Sequence, residues 1–577
     1  MKILVLAKQI PDVDKVSFNR ETKRIVREGV PLMINSFDKK AVEEALRIKE
    51  KTGAETMVVS MGPPSAADML NECLRMGVDR AYLLTDRNFA GSDTLATSTI
   101  LSAFIRKFSP DLVLAGKYSL DGETSQVPPE IASTLNWSFK SSVSKIVISS
   151  DGKSAEIEHE DENGLTDMVF LLPAIFSVSE KINRARAIKP EIPDMRSQIV
   201  TLTASDLSIK ESGTDMSPTV VTGTTGLGSS RNCEFLEFNS DVFRKITEII
   251  RDERGGNSNL EHIALKTPDV GSDSILGVGF KNRVISQEIA ARISELALES
   301  GLRAWMISNL DVDDSGETPC HEYFHVPTHD THAFSNTILE FIQKKKPSYV
   351  IFPSTVAGRE IAGRIAGKLR LGLTADCVDI RLENGHLVQY KPAFGGSIIA
   401  SIYSKTTPEM ATVRQGMFKK RICEQKPKVT ELEPDLSVTE TITGSRPVSS
   451  SFRQLWESSV VIGVGRGMKK RSQVDDVLGL ANLMDATVGA TRPIVDMGFI
   501  PRQQQIGLTG TSISPSVYLA LGVSGMANHI VGIRYCGKVI AVNIDPNAPV
   551  FKYADYGVIC DFDDFVHGFS EYLKAKL

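Results

Sequence analysis

Short apolar runs alternate with helix-like segments over the first 135 residues. Each run is followed by polar or glycine-containing residues, as expected of buried parallel strands. Polar Asn35, Ser36 and Asp38 precede apolar positions with helical spacing, which predicts a helix that begins there. The predicted strands are Ile3–Ala7, Thr56–Ser60, Ala81–Leu84 and Leu112–Ala115. Strands that alternate with helices predict a mostly parallel sheet covered on both faces.

A weak internal repeat extends this pattern to the middle of the chain. Residues 110–116 (PDLVLAG) lead through a polar loop to a helix with the sequence EIASTL at 130–135. Residues 347–353 (PSYVIFP) lead through a shorter loop to RIAGKL at 364–369. The repeat indicates two related α/β domains. Chance similarity between two strand–helix units is the alternative.

Two stretches look extended. Residues 187–232 contain scattered prolines and a Gly/Ser/Thr-rich run at 221–230, and residues 424–451 separate the middle from the last part. Such composition is typical of an arm or linker. A helix at Val242–Arg251 is predicted to close the first stretch, with Gly255-Gly256 as a domain joint.

The last part of the chain repeats the strand–helix pattern. Apolar runs end at Val464, Ala490, Val523, Asn543 and Cys560, each beside small or polar residues. The carboxyl ends of parallel strands share one edge of a sheet, where ligands bind in doubly wound folds. Five strand ends are therefore predicted to converge there.

The amino-acid composition argues against several classes of function. The net charge of −5 over 577 residues shows no broad basic field, which argues against a nucleic-acid partner. The seven cysteines include no C-x-x-C pair, so we expect reduced thiols, no zinc or iron–sulfur site, and a cytoplasmic protein. No apolar run is long enough to span a membrane, so we expect a protein that is not membrane-spanning.

Candidate chemistry lies at the predicted edge. The run GVGRG at 463–467 would let backbone approach a pyrophosphate, with Arg466 as a phosphate or ribose ligand. A plain tight turn is an equal alternative. Ser524 would cap a helix or bind phosphate, and His529 would donate a hydrogen bond to a ligand carbonyl. No nucleophilic triad, metal cage or carboxylate pair is present, so the pattern favours a bound cofactor that supplies the chemistry.

Longer motifs resemble the electron transfer flavoprotein family. Residues 495–510 (VDMGFIPRQQQIGLTG), 518–529 (YLALGVSGMANH), 542–551 (VNIDPNAPVF) and 554–558 resemble the carboxyl domain of its large subunit. Residues 358–369, 373–377, 391–396 and 412–414 are similar to that subunit's first domain. Residues 3–9, 35–38, 41–46, 77–80, 111–117 and 121–126 are similar to the small subunit.

The resemblance implies two usual subunits fused in one chain. The expected fold is α/β, with two related Rossmann-like domains (adenine nucleotide alpha hydrolase-like) and a C-terminal doubly wound parallel-sheet FAD-binding domain. The expected boundaries are a small-subunit-like domain at 1–190, an arm and linker at 191–256, a large-subunit-like domain at 257–450 and the FAD domain at 451–577. With the subunits fused, no separate partner subunit is expected.

The resemblance also implies an FAD site in the C-terminal domain. Thr509 is expected to donate toward flavin N5, Arg492 to favour an anionic one-electron-reduced flavin, and His529 to approach the O2 edge. Arg466, Ser524, Asn543 and Asp561 are expected at the diphosphate and adenine ends. The implied site comprises Arg466, Thr491, Arg492, Ile506, Gly507, Leu508, Thr509, Ser524, Gly525, Met526, Ala527, Asn528, His529, Asn543, Asp561 and Phe562.

A second nucleotide site is implied in the first domain, holding either AMP or a second FAD. The run DGETSQ at 121–126 looks more like the form that holds FAD. The implied residues are Ala7, Asn35, Phe37, Gly116, Asp121, Gly122, Thr124 and Gln126.

The implied function is transfer of electrons from dehydrogenases, such as the acyl-CoA dehydrogenase type, to a quinone-linked or ferredoxin acceptor. The alternatives are an electron-bifurcating flavoprotein with two FAD that oxidises NADH, and a nucleotide-binding module without redox activity. Three departures from the family pattern bear on this choice. Leu508 replaces a usual glutamine beside the flavin, residues 183–187 lack the usual partner-recognition pattern, and Val127-Pro128 replaces a glycine-containing step.

Overall fold

The computed structural model contains three extensive parallel sheets, each lined by helices. It describes residues 1–12, 17–19, 24–26, 29–162, 164–210, 213–226, 231–258, 261–266, 271, 273–311, 318–393, 398–423, 425–435, 440–446, 453–455, 458–507 and 510–576. Within these residues, no helix has the length and apolar character needed to cross a membrane.

The chain forms two compact units. Unit 1 comprises Met1–Thr225, His262–Phe394 and Ile398–Val448, and unit 2 comprises Gly226–Glu261, Gly395–Ser397 and Ser449–Leu577. The predicted segment 191–256 is divided between the units, so its first part belongs with the N-terminal sheet and its last part with the C-terminal sheet. The three domain boundaries expected from the sequence stay predictions.

The helices have the following bounds: α1 Ser36–Thr52, α2 Ala67–Met76, α3 Thr94–Phe108, α4 Val127–Leu135, α5 Ser240–Ser258, α6 Arg283–Ser300, α7 Thr331–Lys345, α8 Val356–Leu369, α9 Gln473–Leu483, α10 Arg492–Asp496, α11 Ala527–Ile533 and α12 Phe562–Lys574.

The strands have the following bounds: β1 Lys2–Leu6, β2 Gln9–Pro11, β3 Ser17–Asn19, β4 Arg24–Val26, β5 Leu32–Ile34, β6 Glu55–Met61, β7 Arg80–Leu84, β8 Leu112–Gly116, β9 Ser138–Ile148, β10 Ser154–Glu160, β11 Leu165–Leu171, β12 Ala174–Val178, β13 Ile199–Leu202, β14 Thr219–Gly226, β15 Glu234–Leu236, β16 Glu261–His262, β17 Ser274–Gly279, β18 Arg303–Ser308, β19 Glu322–His325, β20 Tyr349–Pro353, β21 Leu373–Cys377, β22 Asp379–Glu383, β23 His386–Ala393, β24 Ile398–Ser404, β25 Glu409–Val413, β26 Arg421–Ile422, β27 Lys428–Glu431, β28 Glu440–Arg446, β29 Val460–Val464, β30 Thr487–Ala490, β31 Val517–Leu521, β32 Lys538–Asn543 and β33 Tyr556–Ile559.

The first sheet of unit 1 is buried on both faces. Ile3 and Val5 of β1 enter one apolar cluster, while Leu4 and Leu6 enter a second cluster on the opposite face. Side chains alternate across a strand, so an uninterrupted apolar run fits a strand that helices cover on both sides. The four predicted strands of this sheet are confirmed.

The internal repeat is confirmed by topology. The first sheet runs β13-β7-β6-β1-β8-β12-β9, continued by antiparallel β10, β11 and β28. The middle sheet runs β27-β19-β18-β17-β20-β25-β21, which is the same order one repeat later. Helices α4 and α8, which carry the two similar sequences, pack directly together. A Cβ at Gly367 of α8 would lie 2.6 Å from the Glu130 carbonyl oxygen of α4.

The sheet of unit 2 has the order β15-β33-β32-β31-β29-β30, and every pair is parallel. Its five main strands therefore follow the flavodoxin-like order 2-1-3-4-5, a doubly wound arrangement. The direction of the order reverses between β29 and β31, and we call this place the C-terminal switch point. The first sheet has order 3-2-1-4-5 in its main strands, and its N-terminal switch point lies between β1 and β8.

One expectation about the linkers is wrong. Gly255-Gly256 is not a joint, because both residues lie inside α5. Two helical glycines cost about 1 kcal/mol each, and packing offsets this cost, since the Phe243 and Phe569 rings stack at 5.3 Å. The first part of the Gly/Ser/Thr-rich run is an extended strand, because β14 reaches Gly226 and joins β24 in a four-stranded sheet.

Candidate functional site

Two glycine loops meet at the C-terminal switch point. Gly465 and Gly467 follow β29, and the Gly522–Gly525 loop follows β31. Gly467 N–H donates to the Gly522 carbonyl at 3.1 Å. A Cβ at Gly467 would lie 2.6 Å from Gly522 Cα, and one at Gly465 would lie 2.4 Å from the Gly522 oxygen. The glycines are therefore required for close approach of the two loops, whatever they bind.

The predicted FAD residues that the structure describes follow the carboxyl ends of the strands. Ile506 N–H donates to the Ala490 carbonyl at the end of β30, at 2.9 Å. The Asn543 amide at the end of β32 donates to the Val523 carbonyl at 2.9 Å. Asp561 follows β33, and its carboxylate accepts from Asp563 N–H to cap α12. The strand ends thus converge at one edge, as predicted.

The predicted residues divide into exposed and buried groups. The exposed ones are Arg466, Arg492, Ser524, Met526 and Asn528, and the buried ones are Thr491, Ile506, Gly507, Gly525, His529 and Phe562, while Asn543 and Asp561 are half-buried. Leu508 and Thr509 lie outside the described residues, and Ala527 is described only as part of α11. Guanidinium, hydroxyl and amide donors at one edge fit a phosphate-bearing dinucleotide. The flavin contacts stay predictions.

Ser524 does not cap a helix, contrary to one expectation. Helix α11 begins at Ala527, and its N-cap residue is Met526, without a side-chain cap bond. The Ser524 carbonyl instead accepts from Val550 N–H at 3.1 Å, which fixes the loop on the far side. Its hydroxyl is exposed and remains available as a donor to a ligand.

Arg492 is the first residue of α10 and points to solvent. Its side chain is 63% exposed and pairs with Asp496 at 3.3 Å, an i,i+4 surface ion pair. Such pairs contribute little to stability. The guanidinium is therefore available to an anionic group at the sheet edge.

His529 is buried and fully bonded within the protein. Its Nε2 lies 2.7 Å from the Tyr518 hydroxyl and its Nδ1 lies 3.1 Å from the Ile506 carbonyl oxygen. Burial lowers the pKa of His529 to about 4, so the ring is neutral at neutral pH. The expected contact with flavin O2 stays a prediction, and it would require one of these bonds to be exchanged.

The N-terminal switch point gathers the second set of predicted residues. Ala7 follows β1, Gly116 ends β8, and Asn35 and Phe37 lie at the start of α1. The Asn35 side chain does not cap α1: its Oδ1 accepts from Leu120 N–H at 3.4 Å, and its amide donates to the Tyr118 carbonyl at 2.9 Å. The Phe37 and Tyr118 rings lie 4.7 Å apart. The loop after β8 is therefore tied to the start of α1.

Two of the predicted polar residues in that loop bond within the protein. Asp121 pairs with Lys8 at 2.7 Å, and the Gln126 amide donates to the Leu373 carbonyl at 3.0 Å. Burial is the largest influence on Asp121 and opposes its ionisation, but the Lys8 ammonium together with hydrogen bonds from Ser119 and Gly122 N–H lowers its pKa. Gly122 and Thr124, between them, are half-buried. The structure brings the eight predicted residues to one sheet edge, and nucleotide contacts stay predictions.

Asp38 is a residue whose role at this site the sequence did not reveal. Its carboxylate accepts from Lys8 N–H at 2.8 Å and Gly116 N–H at 3.1 Å, so it joins the ends of β1 and β8. Burial raises its pKa to about 7. In the sequence it was visible only as a helix-capping residue, because the two backbone partners are distant along the chain.

No group of three or more potential metal ligands occurs among the residues with a described position. All seven cysteines are unpaired thiols. The structure thus has two switch points on separate doubly wound sheets, one followed by the exposed Arg466 and Arg492 and one bridged by the buried Asp38 carboxylate.

Comparison with known proteins identifies the family. The "Electron transfer flavoprotein domain" model matches residues 22–207 and 322–437, more than half of the chain. The "Electron transfer flavoprotein FAD-binding domain" model matches residues 454–534. The chain belongs to the electron transfer flavoprotein family.

Relatives include both subunits of this family. The chain is 41% identical over 246 residues to the "Electron transfer flavoprotein subunit beta" of Thermoanaerobacterium thermosaccharolyticum, covering 41% of this chain and 93% of that protein. It is 34% identical over 251 residues to the alpha subunit of the same organism, covering 42% and 76%. The prediction that both subunits are fused in one chain is confirmed.

A third relative is the "Lactate dehydrogenase (NAD(+),ferredoxin) subunit LctC" of Acetobacterium woodii. The identity is 35% over 239 residues, which cover 40% of this chain and 56% of that protein.

Proposed function

We propose that the chain is an electron carrier with FAD at the C-terminal switch point. The observation that carries the proposal is the pair of glycine loops at the place where the strand order 2-1-3-4-5 reverses, within a segment that matches the FAD-binding domain of the family. Exposed Arg466 and Ser524 would hold the diphosphate, and Arg492 would lie near the flavin ring. The FAD supplies the redox chemistry, while these residues bind and orient it.

The electrons would come from flavin dehydrogenases and leave to a quinone-linked or ferredoxin acceptor. The N-terminal switch point would hold a second nucleotide, either AMP or FAD. Its residues would be Ala7, Asn35, Phe37, Gly116, Asp121, Gly122, Thr124 and Gln126. The domain boundaries after residues 190 and 450 belong to the same proposal, whereas the boundary after residue 256 falls inside α5.

A second candidate is electron bifurcation, with FAD at both switch points and NADH as the reductant. Two observations favour it: the loop sequence DGETSQ at 121–126, and a relative whose name includes NAD(+) and ferredoxin. Cofactor analysis separates the two candidates. Two FAD per chain and bleaching of flavin absorbance by NADH support bifurcation. One FAD and one AMP, with no reaction with NADH, support the simple carrier.

The role of Arg492 can be tested by potentiometry. A charge-assisted hydrogen bond or a nearby positive charge stabilises a reduced flavin by about 1.5–3 kcal/mol. Since ~59 mV is tenfold for one electron, Arg492→Ala should lower the first reduction potential by roughly 60–130 mV. Lys574→Ala removes a positive charge from the exposed end of α12 and should leave the potential unchanged. An unchanged potential in Arg492→Ala contradicts this role. A colourless protein that cannot be reconstituted with FAD contradicts the proposed function.

A further inference from the structure

A buried hydrogen-bonded chain links the central strand of unit 2 to the predicted flavin-binding loop. The Tyr518 hydroxyl in β31 bonds His529 in α11, and His529 bonds the Ile506 carbonyl. A carbonyl can only accept, so His529 Nδ1 must carry the proton. Nε2 then has a lone pair and accepts from the Tyr518 hydroxyl. The contacts thus specify one neutral tautomer, in which both ring nitrogens are used.

These hydrogen bonds end at a backbone segment, Ile506–Gly507, that packs closely against its neighbours. Ile506 N–H donates to Ala490 at the end of β30, so both polar groups of this peptide unit are held. The next residue lies directly on α11, because a Cβ at Gly532 would be 2.5 Å from Gly507 N. Ile513 N–H also donates to the Gly532 carbonyl at 2.8 Å. The segment that contains Ile506 and Gly507 is therefore positioned by α11.

At the other end of the hydrogen-bonded chain, a glycine leaves space for the Tyr518 hydroxyl. Tyr518 has no exposed surface. In the neighbouring strand β29, a Cβ at Gly463 would lie only 1.7 Å from the Tyr518 hydroxyl oxygen. Glycine weakens a strand interior, so its presence there indicates close approach by another group. Here the approaching group is the hydroxyl itself.

The pKa shifts of Tyr518 and His529 agree with this pattern of hydrogen bonds. Burial raises the pKa of Tyr518 well above its usual range, so the hydroxyl remains protonated and able to donate. Burial lowers the pKa of His529 to about 4, so Nε2 remains able to accept. A neutral His529 leaves Arg492 of α10 as the positively charged residue predicted beside the flavin ring.

We propose that Tyr518 is a positioning residue that prepares the site for FAD: in the protein without FAD, its hydroxyl fixes His529 in the Nδ1–H tautomer, which holds the Ile506 carbonyl and so positions the Ile506–Gly507 segment. The inference rests on the proposed function, because it assigns this segment to the cofactor. The hydroxyl acts through His529 and need not touch the cofactor. Loss of the hydroxyl should loosen the Ile506–Gly507 segment without changing the shape of the core.

The test uses Tyr518→Phe in the full chain, with nitrogen NMR of histidine-labelled protein and FAD titration. In the wild type without FAD, His529 should show the Nδ1–H tautomer and no titration above pH ~5. In Tyr518→Phe, the Nε2 resonance should shift to that of an unbonded nitrogen. The FAD dissociation constant should rise about two- to tenfold, the range for one lost hydrogen bond.

Two further variants separate positioning from general damage. Tyr553→Phe removes a hydroxyl from a ring packed against the same apolar cluster, and should leave both readouts unchanged. In a His529→Gln background the glutamine amide can donate to the Ile506 carbonyl without help. Tyr518→Phe should then have no additional effect on FAD affinity, because the two residues act in series.

The outcomes distinguish two failures. An Nε2–H tautomer in the wild type overturns the inference even if Tyr518→Phe does not fold. Unchanged FAD affinity in folded Tyr518→Phe, or additive effects in the double variant, also overturns it while the proposed function stands. A wild-type protein that binds no FAD contradicts the proposed function itself, whatever the tautomer.

Discussion

The N-terminal and C-terminal switch points are built by different means. At the N-terminal one, side chains join the loops: Asp38 bonds backbone after β1 and at the end of β8, and Asp121 pairs with Lys8. Glu123 and Ser125 in its loop also have positive φ, at 51° and 57°. At the C-terminal one, Gly467 and Gly522 bring backbone directly against backbone. The stability of the N-terminal switch point should therefore be sensitive to the loss of polar side chains. The stability of the C-terminal switch point should be sensitive to any Cβ added at its glycines.

The largest expected effect is from Gly467→Ala. Its new Cβ would meet Gly522 Cα at 2.6 Å, and neither backbone can move away without disturbing a strand end. We expect a loss of roughly 3 kcal/mol in the unfolding free energy of unit 2, at the upper end for overpacking, together with loss of FAD. Denaturant unfolding and flavin absorbance measure the two.

Gly479→Ala is the matched control, because it adds the same Cβ inside α9 with nothing within 4 Å. Removal of a helical glycine should stabilise by about 0.5–1 kcal/mol. Equal unfolding free energies and equal flavin absorbance in Gly467→Ala and Gly479→Ala would show that stability and FAD binding do not depend on the close approach of the two glycine loops.

A pH effect of similar size is expected from His529. Its pKa is about 4 in the folded chain and 6.5 as the ordinary value, so the unfolded chain binds the proton first as the pH falls. The contribution of His529 to the unfolding free energy of unit 2 should therefore decrease between pH ~6.5 and pH ~4, by up to about 3 kcal/mol. Urea unfolding of His529→Gln should show a correspondingly weaker pH dependence. Exposed His567→Gln should follow the wild-type curve, and a wild-type slope in His529→Gln would refute the assignment.

Asp38→Ala is expected to have an intermediate effect. It leaves the Lys8 and Gly116 N–H groups without their acceptor, which costs about 1–3 kcal/mol for buried donors. Thermal unfolding of unit 1 should detect the change. Asp68→Asn, on the exposed surface of α2, should shift stability by less than about 0.5 kcal/mol. Stability equal to wild type in Asp38→Ala would mean that the carboxylate does not hold the strand ends.

The smallest expected effect is from Asp121→Asn. Lys8 is half exposed, so its ion pair with Asp121 should contribute no more than about 1 kcal/mol. The decrease in unfolding free energy caused by Asp121→Asn should be smaller still in high salt, because exposed charges are screened. A salt-independent loss of several kcal/mol would place Asp121 among the buried structural carboxylates with Asp38.

Features with a local sequence pattern could be predicted from the sequence, whereas features that depend on distant residues could not. The parallel strands were predictable, because runs such as Ile3–Ala7 are continuous, apolar and bounded by polar residues. The strands at 138–171 and the helical state of Gly255-Gly256 were not, since their pairing and packing partners are distant along the chain.

The candidate sites show the same limit. Glycine and arginine after β29 were visible as a motif. The Asp38–Gly116 bond was not, because it joins residues from different strand–helix units. The Tyr518–His529 bond was not, because the spacing of the two residues does not determine where their side chains meet. Long family-like motifs indicated which residues share the site, but not which of them bond to the protein itself.

The central claim is that two separate nucleotide sites lie at the two switch points. The most direct measurement is the nucleotide content of Gly467→Ala and Gly116→Ala proteins, by release and chromatography. A Cβ at Gly116 would lie 2.3 Å from Asp38 Oδ1 and 2.7 Å from the Phe37 backbone. The account predicts that Gly467→Ala loses the C-terminal FAD and keeps the second nucleotide, and that Gly116→Ala does the reverse. Loss of both nucleotides in each folded variant, or of neither, would contradict it.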